Sequence, residues 1–225
     1  MKNIKAIIFD LDNTLIDFIK MKQESVKSAI KAMIRTGLEI NESEEYKNLM
    51  NLYLKLGIES ENVFQEFLKS KLGRIDEKML AAAINAYLKT KNNFLKPYPN
   101  VKSTLSKLKK TGIKLIIVSD APKVKAYQRL LAIGIEKYFD FVIGFEDTGR
   151  KKKTELPLRM AIEKLKFNPE EIIMVGDSIK RDIIPARKLG MISVLAKYGS
   201  QEKIGKIKPH HEINDIREIL KLIKP

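Results

Sequence analysis

The sequence predicts an α/β protein: an open parallel sheet flanked by helices, with a bundle of α-helices inserted into it. Three observations carry this. Residues 4–9 form a short apolar run ending in acids, residues 16–95 keep helical spacing throughout, and helix and strand patterns alternate after Pro97-Tyr98-Pro99.

The first strand is residues 4–9, since a continuous apolar run suits a strand buried on both faces, and it leaves Asp10 at the strand's C-terminal end. Four amphipathic sets follow. They are Val26/Ile30/Met33/Ile34, Leu49/Met50/Tyr53, Val63/Phe64/Phe67/Leu68 and Leu80/Ala83/Ile84/Tyr87, punctuated by Gly37, Gly57 and Gly73. This gives a core domain of residues 1–15 and 99–225 and an inserted helical domain of residues 16–98. Beyond the proline-rich return, a helix over 101–110 ends at Gly112, and a strand over 113–118 terminates in Ser119-Asp120. Further strands are expected at 141–143, 172–175 and 192–195, with helices at 123–132, 156–166 and 182–189. Gly134 and Gly190 stand where left-handed helix caps are wanted, and Pro185 falls in a first helical turn, where it is tolerated. Ile213 and a helix over 215–223 complete the pattern.

At 225 residues the chain is long enough to bury a sizeable sheet, and nothing in it approaches the roughly 20 apolar residues of a membrane span. The run Ala6-Ile7-Ile8-Phe9 is too short for a signal-peptide core, so a cytoplasmic protein is expected. Cysteine is absent and His210 and His211 are the only histidines, which leaves carboxylates as the plentiful ligands and a hard cation as the fitting metal. A formal net charge of +15 raises nucleic acid as a partner. The lysines, however, are spread along the chain among glutamates and apolar residues, with no aromatic RNA-binding pattern, so that partner is disfavoured. The oligomeric state stays open between monomer and dimer.

In open parallel sheets ligands bind beyond the carboxyl ends of the strands. The polar residues expected there are Asp10-Leu11-Asp12-Asn13-Thr14, Ser119, the cluster Lys151-Lys152-Lys153, and Gly176-Asp177-Ser178-Ile179-Lys180-Arg181-Asp182. Two carboxylates one residue apart point to the same side of an extended chain, which suits one as nucleophile and metal ligand and the other as acid and base. A calcium loop starting at Asp10 is excluded, because Leu15 stands where glycine is required and Met21 where the bidentate glutamate is required. Alone, Ser119 reads as a turn residue and Asp182 as a helix cap.

This ordered set resembles the four motifs of the haloacid dehalogenase superfamily: strand then DxDxT, strand then Ser or Thr, a lysine before a helix, and strand then GDxxxxD. The helical insert between the first two motifs resembles that of the family's C1-capped members. The resemblance implies a Rossmann-like core, Asp10 as nucleophile, Asp12 as general acid and base, and Thr14, Ser119 and Lys152 as phosphate-binding groups. It further implies Mg²⁺ at Asp10, Asp12, Asp177 and Asp182. In the family, phosphatases and phosphomutases carry an acid two residues after the nucleophile, and dehalogenases lack it; here it is Asp12. The implied activity is a phosphatase for small phosphorylated metabolites: phosphoglycolate, glyceraldehyde 3-phosphate, other sugar phosphates or nucleoside monophosphates. A phosphomutase of β-phosphoglucomutase type is the alternative, ahead of a 2-haloacid dehalogenase or a basic nucleic-acid-binding module. The helical cap is expected to close over the substrate and exclude water. The family's proline after the lysine is missing, but its usual small and aliphatic positions fall on Ala161, Ile162 and Leu165 when counted from Lys152, which selects Lys152 over Lys151 and Lys153.

Overall fold

The computed structural model describes residues 3–203 and 205–223. The chain divides into two compact units, Met1–Asp17 with Lys96–Pro225, and Phe18–Leu95.

The first unit is built on a parallel six-stranded sheet in the order β3-β2-β1-β4-β5-β6. Its strands are β1 (Ala6–Phe9), β2 (Lys114–Val118), β3 (Phe141–Ile143), β4 (Ile172–Gly176), β5 (Ile192–Ala196) and β6 (His211–Ile213). Every residue of β1 and β4 is buried, as their unbroken apolar sequences require of central strands covered on both faces. Ile8 pairs with Ile116 of β2 and Met174 of β4. These three share one face with helix residues Leu158, Ala161, Leu165 and Ala186. The strand order runs outward from β1 to β3 and then resumes at β4 on the other side of β1, so the topological switch point lies between β1 and β4. A crevice at the carboxyl ends of those two strands is the natural ligand site of such a sheet.

The second unit packs four helices, α1 (Phe18–Arg35), α2 (Glu42–Leu56), α3 (Val63–Leu72) and α4 (Glu77–Phe94). Val26, Ile30 and Met33 of α1 meet Leu49 and Tyr53 of α2, Phe64, Phe67 and Leu68 of α3, and Ala83 of α4 in one apolar core. Asn41 and Asp76 cap α2 and α4 by accepting from the Glu44 and Met79 amides, both at 3.0 Å. Among the described residues no helix is long and apolar enough to cross a membrane.

The core unit's helices are α5 (Val101–Lys110), α6 (Lys123–Ile133), α7 (Leu156–Leu165) and α8 (Ile184–Lys188). Gly134 and Gly190 adopt left-handed φ values of 65° and 79°, while Glu155 and Lys166, at 69° and 56°, bracket α7 in the same region without being glycine. Two expectations are corrected. The helix expected over residues 182–189 begins earlier, with a π-helical turn over Ile179–Ile183 that runs into α8. Ser178 is its cap, its Oγ accepting from the Arg181 amide at 3.2 Å, so Asp182 lies inside the first turn and its carboxylate is released for other partners. The helix expected over 215–223 is a 3₁₀ helix, Ile216–Leu222, capped by Asp215 through the Arg217 amide at 2.8 Å.

Candidate active site

Asp10 continues the sheet for one residue past β1, its amide donating to the Val175 carbonyl at 2.9 Å, and its side chain is buried. The chain then turns sharply. Asn13 takes a left-handed φ of 61°, its amide reaches the Ile16 carbonyl at 2.7 Å, and the Leu15 amide reaches Leu11 at 2.9 Å. The turn brings the Thr14 hydroxyl to 3.4 Å from Asp10 Oδ2.

At the end of β4, Gly176 precedes Asp177 because no other residue fits: a Cβ built on Gly176 would overlap the Asp182 carboxyl. That carboxyl is fixed by the Ser178 amide, which donates to Oδ2 at 3.0 Å. The glycine, the first acid and the acid five residues later are thus one local device. A bare backbone leaves room for a carboxylate that the π-turn carries back over the strand end.

Lys152 completes the cluster. Its amide donates to Asp120 Oδ1 at 2.7 Å, which fixes the backbone, and its ammonium contacts Asp10 Oδ1 and, at 2.7 Å, Asp182 Oδ1. The side chain is 1% exposed, whereas neighbouring Lys151 and Lys153 lie on the surface. Burial opposes the charged ammonium, but the carboxylates of Asp10, Asp182 and Asp120 outweigh it and hold Lys152 protonated above its ordinary range.

Asp10, Asp177 and Asp182 each offer an oxygen, and these oxygens lie within 4.8 Å of one another. Burial, reinforced by the Asp10 and Asp182 charges, pushes the Asp177 carboxyl up to about 8. Burial likewise raises Asp182 to about 6, with Lys152 pulling the other way. Asp177 Oδ1 is buried without a hydrogen bond, and the Arg181 guanidinium stands 3.6 Å away. Three buried acids against one buried ammonium leave a deficit of positive charge, and an all-oxygen donor set fits a hard divalent cation.

The structure therefore gathers Asp10, Thr14, Lys152, Asp177 and Asp182. The Asp12 carboxylate lies outside the group of three acids, its Oδ2 paired with Arg129 Nη1 at 2.7 Å. The Ser119 hydroxyl accepts from the Ala121 amide at 3.1 Å within its own turn. Arg129 was not anticipated, although a signal was present. It falls on the stripe Ala126, Leu130 and Ile133 of α6, where a buried arginine needs a partner.

Residues 7–196 match the family described as haloacid dehalogenase-like hydrolase. Over 227 residues the chain is 34% identical to a Methanopyrus kandleri protein named glyceraldehyde 3-phosphate phosphatase, spanning 98% of this chain and 97% of that one. An Aquifex aeolicus protein named phosphoglycolate phosphatase is 30% identical, over 87% of this chain and 86% of its own. A solved HAD phosphatase from Thermococcus onnurineus superposes with a TM-score of 0.70 at 26% identity, covering 97% of each chain.

The raised carboxyls make a stability prediction. A carboxyl that titrates higher in the folded chain favours folding while neutral. That stability is fully present below the ordinary carboxylate range and is lost as pH rises through about 6 for Asp182 and about 8 for Asp177. A divalent cation binds only the ionised carboxylates and so acts most where the metal-free chain is weakest. Melting curves should show Mg²⁺ raising Tm by about 5 °C or more near pH 8.5 and by less than about half of that near pH 6. An increment that is the same at both pH values would contradict the assignment of these acids to a cation.

Proposed function

The chain belongs to the haloacid dehalogenase-like hydrolases, and from that premise we propose that it is a Mg²⁺-dependent phosphatase acting on a small phosphorylated metabolite. The observation that carries the reading is the buried Lys152 ammonium bridging Asp10 and Asp182 beside Asp177, at the carboxyl ends of β1 and β4. Lysine and acids in that arrangement form a receptor for a phosphoryl group with its counter-ion. Glyceraldehyde 3-phosphate is the first substrate to test, after the Methanopyrus kandleri relative, with phosphoglycolate second.

Asp10 is the nucleophile. One of its carboxylate oxygens attacks phosphorus in line with the ester oxygen, so that the O–P bond to Asp10 forms as the ester P–O bond breaks. In its protonated form Asp12, with Oδ2 against Arg129, gives its proton to the departing oxygen, since an alkoxide is a poor leaving group, and this assistance is typically worth ~10²–10⁴-fold. A water that surrenders a proton to Asp12 then attacks the aspartyl-phosphate, releasing inorganic phosphate and restoring the Asp10 carboxylate. Asp10, Asp177 and Asp182 would hold Mg²⁺, which when bound neutralises phosphoryl oxygens. Lys152 keeps the Asp10 carboxylate oriented and meets the transferring group with fixed positive charge, while Thr14 and Ser119 supply hydroxyls at its rim.

Inorganic phosphate release, measured over a panel of sugar phosphates, phosphoglycolate and nucleoside monophosphates with Mg²⁺, should identify the preferred ester. Asp10→Asn, which keeps shape but not charge, should lower that rate by more than about a hundredfold in a chain that still folds and melts cooperatively. A variant that stays within a factor of ten of wild type would rule out covalent catalysis at Asp10. A lysine placed against the transferring phosphoryl group should contribute roughly 3 kcal/mol in the transition state, and a solvated neighbour well under about 1 kcal/mol. Among single Lys→Ala variants at 151, 152 and 153, only Lys152→Ala should therefore lose on the order of a hundredfold in kcat/KM. Equal small losses at all three positions would place the phosphate clamp elsewhere.

A further inference from the structure

The loop that leaves β5 reaches both acid-bearing turns. Its first contact is Tyr198, whose phenol O–H donates to the Thr14 carbonyl at 2.8 Å. The Tyr198 ring stands edge-on to Tyr98, with centroids 4.9 Å apart, and the Tyr98 amide holds the next carbonyl, Leu15, at 2.9 Å. Gly199 follows, pressed so closely on Asn13 that a Cβ there would overlap the Asn13 carbonyl oxygen. At its far end the loop presents Glu202, which accepts from the Ser178 hydroxyl at 2.5 Å and from the Lys180 amide at 3.4 Å.

These contacts fall on a turn that needs support. Asn13 takes the left-handed conformation that asparagine tolerates, and Thr14 after it is fully buried, so its carbonyl requires a donor. Burial raises the Tyr198 phenol above its ordinary range, which keeps it a donor at every pH at which the protein would be assayed.

We propose that residues 197–202 brace the reacting groups, with Tyr198 as the positioning residue: it holds Thr14 by the carbonyl, and Thr14 in turn steadies Asp10 through the hydroxyl 3.4 Å from Oδ2. The inference rests on the phosphatase reading, in which the Asp10 carboxylate must meet phosphorus in line. Displacement of an attacking group by about 1 Å can cost 10²-fold in rate.

Tyr198→Phe removes one oxygen and keeps the ring against Tyr98. Its kcat on the best ester of the panel should fall about tenfold with KM unchanged within about twofold. Combined with Thr14→Ala, it should be no slower than Thr14→Ala alone, because both act through one contact to Asp10. Hydrogen exchange at the amides of residues 13–16 should quicken about tenfold in Tyr198→Phe, with the amides of β1 and β4 unchanged. Wild-type kcat in Tyr198→Phe, additive losses in the double variant, or exchange that quickens equally in the strands would each overturn the proposal. Unchanged exchange at residues 13–16 would overturn it even if the wild-type chain hydrolysed no ester on the panel, a silence that would count against the phosphatase reading alone.

Discussion

Burial of unbalanced charge at the carboxyl ends of β1 and β4 is the constraint on which the rest of the core unit depends. Each ion taken out of water costs several kcal/mol after relaxation, and Asp10, Asp177 and Asp182 crowd around one buried ammonium, with Asp177 pushed up to about 8. Such an arrangement persists only where surrounding structure over-determines it. Several local departures from regular geometry lie around it: the left-handed Asn13, the bare Gly176, the π-turn over Ile179–Ile183 and the left-handed Glu155 that starts α7. Gly176 and the π-turn are explained by the Asp182 carboxylate they accommodate. Without the π-turn, for example, the Asp182 side chain would not fold back over Gly176 to meet Lys152.

The frame that bears this strain is ordinary. Two neighbouring parallel strands, apolar on both faces, bring Asp10 beside Gly176 with Asp177 one residue beyond, and Ile8, Met174, Leu158 and Ala161 close the sheet against its helices. Function adds little to that frame except polar residues where the strands end. The net charge of +15 belongs to the same picture. A surplus of lysine favours encounter with anions in general, whereas most surface pairs, such as Lys27 with Glu24 and Lys69 with Glu66, contribute little to stability.

Features set by local pattern were legible in the sequence. The apolar runs at β1, β2 and β4 announced buried strands, and the spacing of Val26, Ile30 and Met33 announced an amphipathic helix that packs on that stripe. The polar strand ends pointed to Asp10, Asp177 and Asp182, and the register that the family resemblance implies selected Lys152; the fold collects all four within contact distance. What escaped depends on contacts remote in sequence or on competition between caps. Arg129 meets Asp12 across 117 positions and Tyr198 meets Thr14 across 184, separations that no periodicity encodes. Asp182 looked like a helix start because acids favour that place, but Ser178 reached the cap first.

The covalent step at Asp10 is the centre of the account. Its most direct test is acid quenching of the protein during steady-state turnover of a ³²P-labelled ester, followed by peptide mapping. The account predicts label on a single peptide, the one containing Asp10, in a base-labile acyl-phosphate linkage. Robust turnover with no protein-bound label, or label at any other side chain, would contradict it.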